Sequence, residues 1–419
     1  MKFVADFHLH SKYSRATSPR MVLGELDSWA KIKGIKVLGT GDITHPEWFK
    51  RLKEKLVSTE NGLYKMKESE SETRFLLTTE VSCIYSKGRR VRKIHIIIFV
   101  PSFEIVEKIN AHLGWIGNLR ADGRPMLGLD AKELVKIVLG ISPDCLIVPA
   151  HVWTPWFSLF GSKSGFDSIE ECFEEYSKHI YAIETGLSSD PPMNWRLSAL
   201  DKMALISNSD SHSPQKIGRE ANVFDLENLS YSAIFDAIKS KDSQKFLYTI
   251  EFFPQEGKYH YDGHRACEIS LSPQESRKYN NICPRCGRSL TIGVLNRVEE
   301  LADRPEGFKP ENTIPFKSLI PLTEIIADAM NVLTNAKQVE TEYKNLIKKF
   351  GNEFKILLDV TRRDLEAATF SEIAEGIIRV REGKVFIEPG YDGVYGKIRI
   401  FSKGEQKTLS KQKTLFQND

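Results

Sequence analysis

Seven apolar runs rich in Ile, Val, Leu and Phe mark the first half of the chain, at 2–9, 35–41, 75–84, 94–100, 145–151, 180–185 and 203–209. Near-continuous runs of this kind predict strands covered on both faces, as in a parallel sheet. Between them, apolar positions recur at helical spacing over 21–33, 105–113 and 131–139. This alternation predicts an α/β fold. Histidines and acidic residues stand at the C-terminal end of one run after another, which a β/α barrel explains better than an open sheet.

After about residue 225 the pattern changes. A helix is predicted near 232–240, followed by a stretch bearing glycine, histidine and cysteine over 256–295. From Pro315 helical spacing returns in Leu322, Ile325, Ile326, Ala329 and Leu333, continues over 343–350, and gives way to strand-like 384–387 and 397–401. The expected organisation is a barrel over 1–225, a linker helix and cysteine-bearing module over 226–310, and a helical segment with short strands over 311–401. The Lys- and Gln-rich 402–419 reads as a disordered tail.

A length of 419 residues suits two or three domains, and the hydrophobic share of 41% supports a sizeable core,. The formal charge of +3 excludes a strong global field, so any polyanion must be met by local basic patches,. An acid and histidines occupy the first ten positions where a signal peptide needs apolar residues, and no run of about 18 apolar residues follows,. The chain therefore reads as cytoplasmic. In such a reducing compartment its six cysteines are not expected to form a disulfide framework,.

The run ends carry the chemistry. His8 and His10 lie two apart, as do Asp210 and His212, so each pair leaves one face of an extended segment and can grip one ion,. Asp42, His45, Glu80, His95 and His151 bring the set to nine. Taken singly, any of these histidines reads equally well as a strand cap or a satisfied core residue. As a set they exceed the needs of one cation and imply two or three divalent metals, of which Mg, Mn and Zn all accept such donors. Several neighbouring ions suit displacement at phosphorus: one lowers the pKa of a water and others neutralise the oxygens around the phosphorus.

A second constellation, His264 and Cys267 separated by fifteen residues from Cys283 and Cys286, has the spacing of a structural zinc knuckle, with Gly287 for the tight turn and His260 as a rival to His264,. Arg265, Arg277, Lys278, Arg285, Arg288 and Arg297 surround it, with Tyr259, Tyr261 and Tyr279 interleaved. A second basic run, Lys87, Arg89, Arg90, Arg92 and Lys93, separates Glu80 from His95. Each patch alone reads as a solvated hairpin. Flanking one phosphoesterase site, they favour a polyanionic substrate such as DNA. Glu184 and the 186–194 loop are candidates for a base pocket or for loop packing.

His8 with His10, Asp42 with His45, Glu80, His95, His151, and Asp210 with His212 resemble, in order, the motifs of the polymerase and histidinol phosphatase (PHP) superfamily over residues 1–225. The resemblance implies a seven-stranded distorted β/α barrel and a trinuclear centre. One ion would be held by His8, His10, Glu80 and Asp210, another by Glu80, His95 and His151, and a third by His212 with Asp42. Ser14 and Arg15 stand where many members carry a further ligand, and Thr40, Gly41 and Asp42 replace the usual Thr-Asp-His. His45 is left as a ligand, a supporting group or neither.

The knuckle and helical C-terminus extend the likeness to the endonuclease Q family. That implies a DNA repair endonuclease cutting 5′ of hypoxanthine, uracil and abasic sites, with His8, His10, Glu80, Asp210 and His212 at the reacting centre. The alternative within the superfamily is a small-molecule phosphatase. Gln412, Leu415 and Phe416 resemble the start of a motif that docks on the sliding clamp, and a random polar tail is the competing reading.

Overall fold

A computed structural model describes residues 1–59, 61–402 and 404–405; the tail residues Gln412, Leu415 and Phe416 lie outside the described residues. All seven predicted strands form: β1 (Lys2–Asp6), β2 (Ile35–Gly39), β3 (Arg74–Lys87), β4 (Arg90–Val100), β5 (Leu146–Pro149), β6 (Ala182–Glu184) and β7 (Ala204–Ile206). Their residues split between two buried clusters. Ala5, Val37, Leu76, Ile97, Val148 and Ala204 join an inner cluster, while Leu38, Phe75, Ile98, Ile147 and Ile183 pack outward. Burial of both faces produces the near-continuous apolar runs.

The strands are not all parallel. β1, β2 and β3 run parallel, but β4 is antiparallel to both β3 and β5. A tight turn at Gly88 and Arg89 folds β3 straight back on β4, so the connection is a hairpin without a crossover helix,. Ladders link β1 through β5 and, separately, β6 with β7. Hydrogen bonds from Val152 N to Glu184 O (3.1 Å) and from His10 N to Ser211 O (2.9 Å) bridge β5 to β6 and the two C-terminal ends beyond β1 and β7. The fold is thus mixed α/β, with a circuit that is not laddered throughout.

The sheet also continues past residue 225. β8 (Ala221–Asp225) lies antiparallel beside β1, β9 (Phe246–Glu251) beside β8, and Phe316–Ser318 parallel beside β9. The predicted helices form as Leu23–Lys33, Phe103–Ile116, Ala131–Ile141 and Tyr231–Ser240. Ser102, Asp130 and Ser230 accept hydrogen bonds from first-turn amides at three of their N-termini, satisfying donors that have no partner within the helix,.

The C-terminal segment folds as helices Leu322–Met330, Lys337–Phe350, Glu353–Leu358, Arg362–Glu366 and Ser371–Arg381, then strands Phe386–Glu388 and Lys397–Arg399. Leu333, expected on the first of these helices, falls beyond its end and is exposed, because Asn331 turns into the left-handed region and stops the helix. Lys33 and Tyr343 converge on Glu353 at 2.7 and 2.6 Å, a buried tie between the β/α part and the C-terminal helices.

Beneath the centre, Glu251 on β9 accepts hydrogen bonds from Thr185 and Thr249. Burial, with Asp190 nearby, pushes its carboxyl from 4.5 up to about 8. A carboxyl raised in the fold favours the protonated state, so its contribution is complete below the ordinary value and is lost as pH rises through about 8. Glu251→Gln is expected to remove that loss. The difference in melting temperature between the variant and the parent, followed by calorimetry, should move in the variant's favour from about pH 5 to about pH 9. An unchanged difference across the range would refute the assignment.

Candidate metal centre

Most of the residues singled out in the sequence converge from five strands. His8 and His10 follow β1, His151 follows β5, and Asp210 follows β7. Glu80 and His95 sit within β3 and β4, not at strand ends, because that hairpin runs on past the centre to Arg90. Two groups result, His8 with His10 and Asp210, and Glu80 with His95 and His151; within each, the donor atoms lie within 4.8 Å of one another.

Glu80 joins them. Its Oε1 is 2.7 Å from His95 Nδ1 and 3.0 Å from His151 Nε2, and its Oε2 is 3.4 Å from His10 Nε2. Asp210 Oδ1 is 3.1 Å from His10 Nε2 and 3.7 Å from His8 Nε2. Asp42, His151 and Asp210 all adopt left-handed backbone, with φ of 51°, 30° and 45°. Strain of this kind persists only where surrounding structure over-determines it.

A second layer of carboxylates aims the imidazoles. His8 Nδ1 donates to both oxygens of Glu184 (3.0 and 3.1 Å), which also accepts from Asn208 Nδ2 and the His151 amide, each at 2.9 Å. Glu184 is fully buried and committed to these contacts, so it is not a base-pocket residue. His10 Nδ1 donates to Asp42 Oδ1 (3.1 Å), while Ser11 and Ser14 hold Asp42 Oδ2. An imidazole anchored at Nδ1 presents Nε2 to a cation and has its tautomer fixed.

Asp42 is therefore spent on His10 instead of facing an ion. The seryl hydroxyl of Ser14 fills the place of a further ligand by bonding Asp42. His45 also lies outside both groups: its Nε2 meets the Arg120 carbonyl at 3.3 Å and its ring stacks on Tyr13 at 4.4 Å. His212 donates Nδ1 to the Asp210 carbonyl (2.9 Å), with its ring 4.6 Å from that of His10, at the rim.

Electrostatics follow from the packing. Burial works against charge on His8 and His10, yet Glu184, Asp210 and Glu80 around the first, and Asp210, Asp42 and Glu80 around the second, hold both imidazoles well above the usual range. For His95 burial prevails over Glu80 and pulls the ring down to about 4. Burial opposes ionisation of Glu80, but His95, Arg124 and His8 keep its carboxyl well below the ordinary value.

His8 Nε2, His10 Nε2 and Asp210 Oδ1 are buried and make no hydrogen bond. Buried polar atoms are rarely left so, and three of them aimed together fit a cation. Sequence reasoning missed Arg124, whose Nη1 lies 3.0 Å from Glu80 Oε2, because a lone loop arginine carries no periodic signal. It also missed the role of Glu184, which only the fold places under two histidines.

The second cluster, His264, Cys267, Cys283 and Cys286, brings four donors within 4.8 Å of one another, while His260 stays outside it, buried against Tyr261. Gly287 supplies the left-handed turn (φ 74°). Burial pushes the Cys283 thiol up, but the amides of Arg285 and Cys286 and the His264 ring bring it down to about 6. Among the basic residues, Arg89, Arg90, Arg285 and Arg288 are exposed. Arg92 does not share that freedom: it donates to the Gly165 carbonyl and lies 4.1 Å from the Phe166 ring centroid. Lys93 sits over Phe157 at 5.1 Å. Arg297, read as part of the basic surface, is buried and pins the cysteine module to Phe160, Phe166 and Asp167.

Buried imidazoles and carboxylates gathered on a mixed α/β frame define a metal-dependent hydrolase of the phosphoesterase kind. The chain matches the lesion-specific endonuclease Q of Pyrococcus furiosus with 30% identity and a TM-score of 0.85, over 97% of this chain and 99% of that one. It matches an endonuclease Q in complex with a 27-mer duplex carrying an abasic lesion at the active site with 31% identity and a TM-score of 0.84, over 96% and 98%. The chain belongs to the endonuclease Q family. Protein MJ0043 of Methanocaldococcus jannaschii is 36% identical over 259 residues, 59% of this chain and 31% of that protein, so the chain spans about a third of it. Residues 321–384 match the family model of the MJ0043 C-terminal domain. Among the described residues no helix is long and apolar enough to cross a membrane.

Proposed function

We propose that the protein is a DNA repair endonuclease that hydrolyses the phosphodiester 5′ of deaminated bases and abasic sites, leaving a 3′ hydroxyl and a 5′ phosphate. The observation that carries the reading is the end-to-end likeness to an endonuclease Q holding an abasic duplex, combined with orphaned donor atoms at the strand ends. His8, His10 and Asp210 would hold one divalent cation and His95 and His151 another, with Glu80 shared between them. When bound, such ions supply a water of lowered pKa and neutralise charge on the phosphate. A third ion would find no free donor at Asp42, which leaves His212 at the rim to meet substrate or leaving group. The same family likeness supports the reading of the seven strands as one distorted barrel.

The protein's own residues do the positioning. Glu184 and Asp42 fix the two imidazoles of the first group, and the packed strands exclude water from all sides but the mouth. From His95 and His151 a cavity of about 660 Å³ extends between Trp156, Phe157, Phe252 and Tyr259. Aromatic walls of this kind suit a base extruded from the duplex, since stacking stabilises any base and extrusion costs least where pairing is already weak. Exposed Arg285 and Arg288 on a zinc knuckle, with Arg89 and Arg90 on the hairpin, would follow the phosphate backbone. A phosphatase for small esters gives the knuckle and the C-terminal helices no task.

The test is incubation with Mn²⁺ and end-labelled duplexes carrying one hypoxanthine, one uracil, one abasic site or no lesion. A nick immediately 5′ of the lesion is expected, and Asp210→Ala should abolish it while retaining duplex affinity in anisotropy. Turnover of monophosphate esters alone, with every duplex intact, would refute the endonuclease reading.

A further inference from the structure

Arg124 stands beside the centre without belonging to either group of donors. Its Nη1 is 3.0 Å from Glu80 Oε2, the oxygen that also faces His10, and that is the one acceptor its side chain meets among the described residues. A guanidinium carries five N–H donors in a rigid fork, so most of this one remains free. Its side chain is 24% exposed, at the opening of an otherwise buried site.

The backbone that carries it is fixed. Gly123 N donates to the Tyr13 carbonyl (3.1 Å), Thr44 Oγ1 to the Gly123 carbonyl (3.3 Å), and Ser82 N to the Pro125 carbonyl (3.0 Å). A Cβ at Gly123 would lie 2.2 Å from Asp42 Oδ2, so only glycine lets the loop approach this closely,. The loop is therefore stitched to the strands and turns that carry Asp42 and Glu80, and Arg124 is presented to the centre by design of the backbone, not by surface chance.

A carboxylate shared by two cations has its charge largely neutralised by them and holds a guanidinium less strongly, whereas a phosphodiester brings uncompensated anionic oxygens to the same place. We propose that Arg124 is a catalytic residue that exchanges Glu80 for a non-bridging oxygen of the scissile phosphate when the centre is loaded. It donates hydrogen bonds only: water loses a proton and forms the new P–O bond, the bond from phosphorus to the 3′ oxygen breaks with its electron pair going to that oxygen, which takes up a proton from solvent to leave as the hydroxyl, and Arg124 neutralises the charge that accumulates on the equatorial oxygens. This rests on the phosphodiesterase reading above.

The experiment uses the full chain, titrated first with Mn²⁺ alone and then, Mn²⁺-loaded, with inorganic phosphate. Wild type is expected to bind phosphate, and Arg124→Ala to bind it about 10–100-fold more weakly, the worth of a hydrogen bond to a charged group. Mn²⁺ affinity should be unchanged or tighter, because a competitor for Glu80 has gone. On abasic duplex, kcat should fall about 100-fold or more with little change in KM. Arg124→Lys keeps charge but loses the fork, should fall between, and carries the test if the alanine variant fails to fold. Equal phosphate affinity in wild type and variants, or no phosphate binding by wild type, overturns the proposal. Failure of wild type to cut any lesion duplex would instead overturn the endonuclease reading.

Discussion

Glu80→Gln is expected to lower single-turnover cleavage of a lesion duplex by on the order of 10³-fold, because several kcal/mol of transition-state stabilisation rest on the cations that this carboxylate joins. Glu80 reaches both groups: Oε1 faces His95 and His151, and Oε2 faces His10 and Arg124. Replacing one oxygen by an amide nitrogen, which donates and cannot ligate, removes a donor from one site and half the link between them. Two accompanying changes separate this from simple misfolding. Calorimetric titration with Mn²⁺ should show fewer or weaker sites, and anisotropy should show duplex affinity largely retained, as expected if exposed arginines away from the centre carry it. Cleavage within a few-fold of wild type would refute the shared-carboxylate assignment.

The part of this centre legible in the sequence was its donors, and the part that was not was their orientation. His8, His10 and Asp210 announced themselves by alternate spacing at the ends of apolar runs, and they do point inward together. Asp42 looked the same on paper. Spacing cannot distinguish a carboxylate facing the centre from one facing the back of an imidazole that does, and Asp42 meets Nδ1 of His10. Glu184 ends a three-residue strand with nothing beside it to mark it, yet it anchors both His8 and the His151 backbone from 176 and 33 residues away.

The fold shows the same division. Apolar runs located the strands because both faces are buried, but they carry no sign of direction, so the only hint that β4 reverses was the polar run that reads as a solvated hairpin. The basic run between β3 and β4 looked like a single electrostatic surface, whereas only its turn residues stay exposed. The arginine further along it packs on an aromatic ring, as long cationic side chains commonly do,.

Cys283→Ser is expected to have the largest effect on stability. Three thiols and an imidazole within 4.8 Å of one another suit a structural zinc, and in small metal-held modules the metal contributes about 10–16 kcal/mol, more than the apolar core of so short a segment supplies,. Neighbouring amides and the His264 ring hold the Cys283 thiol below its ordinary value, which favours the thiolate a metal needs, so losing it removes one of the four donors,. The module is joined to the remainder by Arg297 across to Phe160 and Asp167 and internally by Asp262, which gathers Ser276, Gly293 and Asn296. Those contacts should persist, so the loss should stay local. Zinc content measured by mass spectrometry should fall by about one atom per chain, melting should broaden with an early low-temperature phase, and duplex affinity should drop as Arg285 and Arg288 lose their fixed positions. Mn²⁺ binding at the strand-borne centre should be unaffected. Full zinc retention with an unaltered melting profile would show that the four residues hold no ion.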